Sequence, residues 1–256
     1  VFHLARKLLL SLFEKSGLGA GSDDDLGFIG TDGVRSFLVA ALLHDLGHFP
    51  FAHSLKELPL RSHEALGAEG ITREPIAPVI RNDVGCDPER VAAIIDEERD
   101  AGGDEEVVYF RRLLSGVLDP DKLDYLNRDA FFCGVPYGTQ DIDFAISRLR
   151  PIAPDGIALL SSGISAVENI LFSKYLMYRA VYWHRNVRAA TAMIKDGLYR
   201  ALTEGMIREA DLYGHTDESF YAHFSARPEP PFRLIRRVYD RQLHLPAADI
   251  PFDESS

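Results

Sequence analysis

The chain has 256 residues, is 46% hydrophobic and carries a formal net charge of −11. That is enough for one sizeable core, or a core with an appendage. The acidity argues against general nucleic-acid binding, which needs clustered Lys and Arg, but not against a small anion in a local basic pocket. Cys86 and Cys133 sit in no CxxC or CxH spacing, which speaks against a disulfide framework and for a reducing cytoplasm. No apolar run reaches the roughly 18 residues of a membrane helix. Arg6, Lys7, Glu14 and Lys15 interrupt the N-terminal apolar run, so it does not read as a signal peptide.

Helical periodicity begins at once, with Phe2, Ala5, Leu9, Leu12 and Phe13 on one face. No start signal or N-cap precedes it, so the chain reads as a piece that opens inside a helix. A Gly-, Ser- and Asp-rich loop is expected at Gly17 to Asp25, then a helix from Thr31 to His44. A turn-rich stretch follows from Gly47 to Ser62, and Ser62 reads as the N-cap of a short helix starting at His63. Pro88 to Glu98 and Glu105 to Leu114 are amphipathic. Asp119-Pro120 is a cap followed by proline at the first helical position, predicting a helix to Phe132 that ends near Gly134. A hairpin is expected across Arg150 to Ala153 and Gly156 to Leu160, around Pro154-Asp155-Gly156. The longest helical pattern runs from Ile164 to Leu202, with any bend near Gly197. A loop-rich stretch from Asp211 to Pro231 and a last basic helix from Phe232 to Leu243 complete the chain. The pattern predicts one all-α domain over residues 1–203, with a small β-hairpin and a C-terminal extension over 204–256.

Three constellations carry chemistry. His44-Asp45 ends an apolar helix and offers one nitrogen and one oxygen ligand from the same place, a mixture that borderline divalent metals accept. His48, His53 and His63 follow within 20 residues, so four of the nine histidines crowd one stretch. Such clustering with carboxylates points to a metal or acid–base site rather than to core packing. In the second, Asp121, Tyr125 and Asp129 recur at i, i+4 and i+8, hence on one helical face, with Lys122 beside the first. A solvated helix laced with ion pairs produces the same pattern. A phenol on the polar face favours a wall for metal and phosphate instead. The third places Lys174, Tyr178, Tyr182 and Arg185 on one stripe. It reads either as an amphipathic helix with aromatics in the core, or as tyrosines stacking on a base or sugar with Lys174 on phosphate.

His44 to His53, followed by Asp121 to Asp129, closely resembles the paired motifs of HD-superfamily metal-dependent phosphohydrolases, and among them the deoxynucleoside triphosphate triphosphohydrolases. The likeness spans about residues 1–200. It implies an HD-type helical bundle, a divalent ion (Mn, Mg, Fe, Zn, Ni or Co), a nucleotide substrate and a homo-oligomer without a membrane. It also implies roles. His44, Asp45 and Asp121 ligate the metal, and the family's first His would lie upstream of Val1. That His would fall six residues before His3, about 240° around a helix, so His3 is not its substitute. His48, His63 and Glu64 line the nucleophilic side, and His53 is the general acid. Lys122, Tyr125 and Asp129 contact the phosphates and sugar. Tyr182 packs on the deoxyribose, and Lys174 reaches a phosphate. An acid common after the His53 position is replaced here by Lys56 or Glu57. Three alternatives remain at this point. One is another HD phosphohydrolase, such as a nucleotidase or a nucleotide phosphodiesterase. The second is a catalytically silent nucleotide-binding domain. The third is a nucleic-acid role, supported only by Arg233, Arg236, Arg237 and Arg241.

Overall fold

The structure, a computed structural model, describes residues 1–17, 25–136 and 139–245. Most of the loop expected at 17–25 and everything after residue 245 lie outside them. In chain order come α1 (Phe2–Phe13), α2 (Thr31–Leu43), α3 (His63–Ile71), α4 (Ile76–Val79), α5 (Pro88–Ile95), α6 (Glu105–Ser115), α7 (Pro120–Cys133) and α8 (Ile142–Ser147). A hairpin of β1 (Leu149–Ile152) and β2 (Gly156–Leu159) follows. The rest is α9 (Ile164–Met177), α10 (Arg185–Thr203), α11 (Asp217–Phe224) and α12 (Phe232–Tyr239). The fold is all-α with one antiparallel hairpin, whose register sets Leu149 opposite Leu159 and Ile152 opposite Gly156.

The chain divides into two compact units, and residues 49–60 leave the first to join the second. The first unit holds Val1–His48 and Arg61–Ala180. In it α5 packs against α2, α3 and α6, and α1 packs against α2, α7 and α8. The core is aromatic where α2 meets α6: Phe37 stacks on Phe110 at 4.8 Å, and Tyr109 lies beside it, fully buried. On α1 the buried face is Ala5, Leu8, Leu9 and Leu12, and Phe2 at its open end stays exposed.

The helix starts follow local chemistry. Ser62 accepts from Ala65 N to cap α3, Asp104 from Glu106 N and Val107 N to cap α6, and Asp119 from Lys122 N to cap α7. Each such cap contributes about 1 kcal/mol by occupying N–H groups that lack an intrahelical acceptor. α7 stops at Gly134, whose φ of 66° suits the left-handed position that closes a helix.

The second unit holds residues 49–60 and the described residues from Val181 on. α10 packs on α12, and α11 on α12, around Phe220, Phe224, Phe232 and Ile235. A 3₁₀ turn at Ala52–Leu55 adds Phe51, whose ring meets those of Phe220 and Tyr221.

One expectation is corrected. The pattern from Ile164 to Leu202 is not one helix. A π turn at Tyr178–Tyr182 ends the first segment, and His184, with ψ of 138°, accepts from Asn186 N to start α10 afresh. The break falls there rather than near Gly197. Gly197 lies within α10, where a Cβ would come 2.8 Å from the Pro231 carbonyl, so the glycine serves close approach to the chain entering α12.

Candidate active site

Within the first unit, the end of α2 brings the strongest sequence signal into one place. His44 follows the last residue of α2, and Asp121 lies in the first turn of α7, where its charge suits the helix N-terminus. Three ligand atoms converge there. His44 Nε2 is 3.2 Å from Asp45 Oδ1 and 3.6 Å from Asp121 Oδ1. His44 Nδ1 lies 3.2 Å from the Ala41 carbonyl, which can only accept, so Nδ1 carries the proton of the neutral ring. Nε2 then turns a lone pair toward two carboxylate oxygens. It is buried and makes no hydrogen bond.

That arrangement is unfavourable unless a proton or a cation lies between the three groups. The protein answers with the proton. Burial lowers the His44 pKa, but the Asp121 contact and the charges of Asp45 and Asp121 outweigh it and hold the imidazole above its ordinary value. For Asp45, desolvation acts upward, and the His48 hydrogen bond with the His44 charge overrides it, leaving the carboxyl below the usual range. Among the described residues no Lys or Arg pairs with Asp45 or Asp121. A divalent ion fits this donor set: one imidazole with its far nitrogen anchored to a carbonyl, and two carboxylates.

His48 extends the cluster, with Nε2 3.3 Å from Asp45 Oδ1. Its ring lies 4.1 Å from that of His63, at an angle of 58°. His63 is buried, and its Nδ1 is 3.2 Å from Glu64 Oε2. A glycine pair that sequence reasoning missed makes this contact possible. A Cβ on Gly47 would fall 2.0 Å from the His63 carbonyl and 2.3 Å from Gly67 N, so the turn after α2 touches the α3 backbone directly. Gly67 in mid-helix was the available signal, because glycine weakens a helix unless a neighbour needs its missing side chain.

On α7 the spacing of Asp121, Tyr125 and Asp129 becomes one half-buried face, with Leu123, Leu126 and Ala130 buried behind it. Burial first, then Tyr178 and the carboxylates of Asp121, Asp119 and Asp129, push the Tyr125 phenol up to about 12. It is therefore a neutral donor at physiological pH. The Lys122 ammonium bonds to Asp119 and, at 2.9 Å, to the Gly116 carbonyl. Burial raises the Asp119 carboxyl despite that lysine. Lys174 Nζ lies 6.0 Å from the centre of the Tyr178 ring, at the end of α9.

The π turn separates the third constellation: Lys174 and Tyr178 belong to the first unit, Tyr182 and Arg185 to the second. His53 also belongs to the second unit, on the Ala52–Leu55 turn. Glu57, near it in sequence, pairs with Lys195 at 2.8 Å. His3 is exposed on α1.

Comparison with known proteins covers the stretch of chain that holds these residues. Residues 4–127 match the family described as HD domain, and residues 143–255 match the HD associated region. The chain belongs to the HD superfamily. The HD chain is 35% identical over 191 residues to the uncharacterized protein YwfO of Bacillus subtilis, a match covering 74% of this chain and 42% of that protein. It is 23% identical over 234 residues to the deoxynucleoside triphosphate triphosphohydrolase SAMHD1 homolog of Dictyostelium discoideum, covering 80% and 43%. It thus spans less than half the length of either relative. In fold it is similar to the crystal structure of a phosphohydrolase from Bacteroides thetaiotaomicron, with a TM-score of 0.70 and 24% identity over 99% of this chain and 66% of that one. No helix among the described residues is long and apolar enough to cross a membrane.

Proposed function

We propose that this HD chain acts as a metal-dependent phosphohydrolase that splits deoxynucleoside triphosphates into deoxynucleoside and intact triphosphate. The observation that carries the proposal is the convergence of His44 Nε2 on the Asp45 and Asp121 carboxylates, with no Lys or Arg among the described residues paired to either. The substrate class draws support from the Dictyostelium relative and from the motif resemblance. His44, Asp45 and Asp121 would hold a divalent ion (Mn, Mg, Fe, Zn, Ni or Co), and residues 1–256 supply these three of the four donors that the resemblance implies. Such an ion supplies Lewis acidity to the phosphate and a lower pKa to water.

The protein's own groups do the rest. His48, tied to Asp45, and His63, tied to Glu64, orient imidazole nitrogens toward the side from which water attacks. Lys122, fixed by Asp119 and Gly116, places a positive charge one residue from Asp121 for the triphosphate. Tyr125 stays protonated and donates to the substrate, and Asp129 accepts from the sugar. Lys174 contributes a second charge, and Tyr178 an aromatic face. Tyr182 packs on the deoxyribose, and His53 gives a proton to the departing 5′ oxygen, a step worth on the order of 10² to 10⁴ in rate. The working form is a homo-oligomer.

Product chromatography tests the reaction, with each of the four dNTPs and Mn or Mg, beside an Asp45→Ala control. Deoxynucleoside with inorganic triphosphate, both lost in the control, is the expected result. Monophosphate with diphosphate would sink it. Nucleotide binding without turnover would favour a silent binding domain.

A further inference from the structure

α9 is apolar around most of its circumference, yet only Ile170, Ser173 and Met177 on it are buried. A helix apolar all round is normally enclosed on all sides. Here Ile164, Leu171, Phe172 and Tyr175 stay exposed, at 49%, 49%, 59% and 52%. They recur at helical spacing on one stripe, together with exposed Glu168. Phe172 stacks on Tyr175, with ring centres 6.3 Å apart. Arg179, in the π turn just beyond, lies back along the same face. Its guanidinium sits 5.7 Å from the Tyr175 ring centre, and Nη1 is 3.3 Å from the Tyr175 hydroxyl. Among the described residues neither Glu168 nor Arg179 forms an ion pair.

This stripe is self-complementary. The acid stands at one end, the base at the other, and the stacked rings lie midway. The midpoint of Glu168 and Arg179 in the chain is also the midpoint of Phe172 and Tyr175. A two-fold axis there sets Glu168 against Arg179 of the partner subunit, and Phe172 against the partner's Tyr175, in one antiparallel crossing. We propose that α9 is the face through which two copies of this chain pair. The idea gives a surface to the homo-oligomer of the proposed function, and it rests on the charge and apolar pattern of α9 rather than on the reaction.

The areas are of the right size. Large apolar side chains carry roughly 150–200 Å² each, so four at about half exposure offer about 350 Å² per copy. Two copies remove about 700 Å² from water as an apolar centre. A stable interface needs about 1,200 Å² in total, and the polar edge of the stripe, with Ser165, Glu168, Asn169 and Arg179, supplies the remainder. A C2 contact of this type needs only one patch that matches itself.

Sedimentation equilibrium of the purified protein tests the proposal without any assay of activity, so failure of the phosphohydrolase reading leaves the result unaffected. The expected state is a reversible dimer. Glu168→Arg alone and Arg179→Glu alone each set like charges opposite and weaken it about 10-fold. The double swap Glu168→Arg/Arg179→Glu restores it to within about threefold. Phe172→Asp, at the centre, weakens it about 30-fold. All three side chains involved are exposed, so circular dichroism and thermal unfolding should match the parent protein at concentrations where both are monomeric. A protein monomeric at every concentration overturns the proposal. So does a dimer indifferent to the single substitutions, which would pair elsewhere, for instance through exposed Phe131 and Phe132 at the end of α7. Single substitutions that weaken the dimer without rescue by the swap overturn the two-fold pairing as well.

Discussion

The two ends of α2 hold the same kinds of charge and treat them in opposite ways. At its start, Arg90 gathers Asp32, Asp104 and Glu106, and Glu106 also accepts from Gly30 N. Asp104 accepts from two backbone N–H groups as well. Every carboxylate there has a donor. At the other end, Asp45 and Asp121 face a histidine whose one neutral-state proton is already given to Ala41. The first cluster is closed by its own arginine; at the second, His48 reaches Asp45, and among the described residues no Lys or Arg pairs with either carboxylate. Clustered carboxylates mark a functional site when the fold sets no Lys or Arg against them, not simply when they are close together.

Substitutions at the two ends should therefore separate chemistry from stability. The largest effect is expected from Asp121→Ala or His44→Ala. Bound metal should fall to background by elemental analysis, and turnover by about 10³-fold or more, with helical content retained. Glu106→Gln should do the reverse. It should keep metal content and cost about 2 kcal/mol in urea unfolding, because Arg90 loses a partly buried partner. If Glu106→Gln empties the metal site, the contrast between the two ends is wrong.

Gly47→Ala sharpens the comparison at the open end. Its methyl group would press on His63 and Gly67, destabilising by about 2–3 kcal/mol and moving His63 away from His48. Loss of activity with metal retained is the expected outcome. A fully active variant would show that the glycine contact does not position His63.

The pH dependence of metal-free protein probes the lone pair itself. The folded pKa of His44 is raised above its usual value of about 6.5, against the effect of burial. Its contribution to stability is therefore complete below that value and is lost as pH rises through the folded pKa. Thermal unfolding after chelation should show this slope. His44→Gln should remove it, and added Mn should cancel it at the upper end.

The smallest effect is expected in the aromatic core. The Tyr109 hydroxyl is buried without a hydrogen-bond partner. Tyr109→Phe should leave activity unchanged and stabilise the fold by up to about 1 kcal/mol in denaturant titration.

Much of this was legible in the chain. The α7 face of Asp121, Tyr125 and Asp129 could be read from spacing, because a capped helix without glycine or proline in its interior keeps its period. The hairpin and the caps at Ser62 and Asp119 could be read for the same local reason. The break at Tyr178–His184 could not. Its residues continue the helical pattern without a proline or glycine, and the π turn is not written in that pattern. Gly197, the one residue where the pattern allowed a bend, instead makes contact with the residues entering α12.

By itself the sequence determined the helices, their caps, the all-α class and the residue types able to hold a metal, because these depend on neighbours within a few positions. The tertiary structure alone decided that Asp121 meets His44 across 77 positions, that Gly47 meets Gly67, and that residues 49–60 leave the first unit for the second. Those outcomes depend on how apolar faces pack between elements distant in the chain, and no local pattern records which faces will meet.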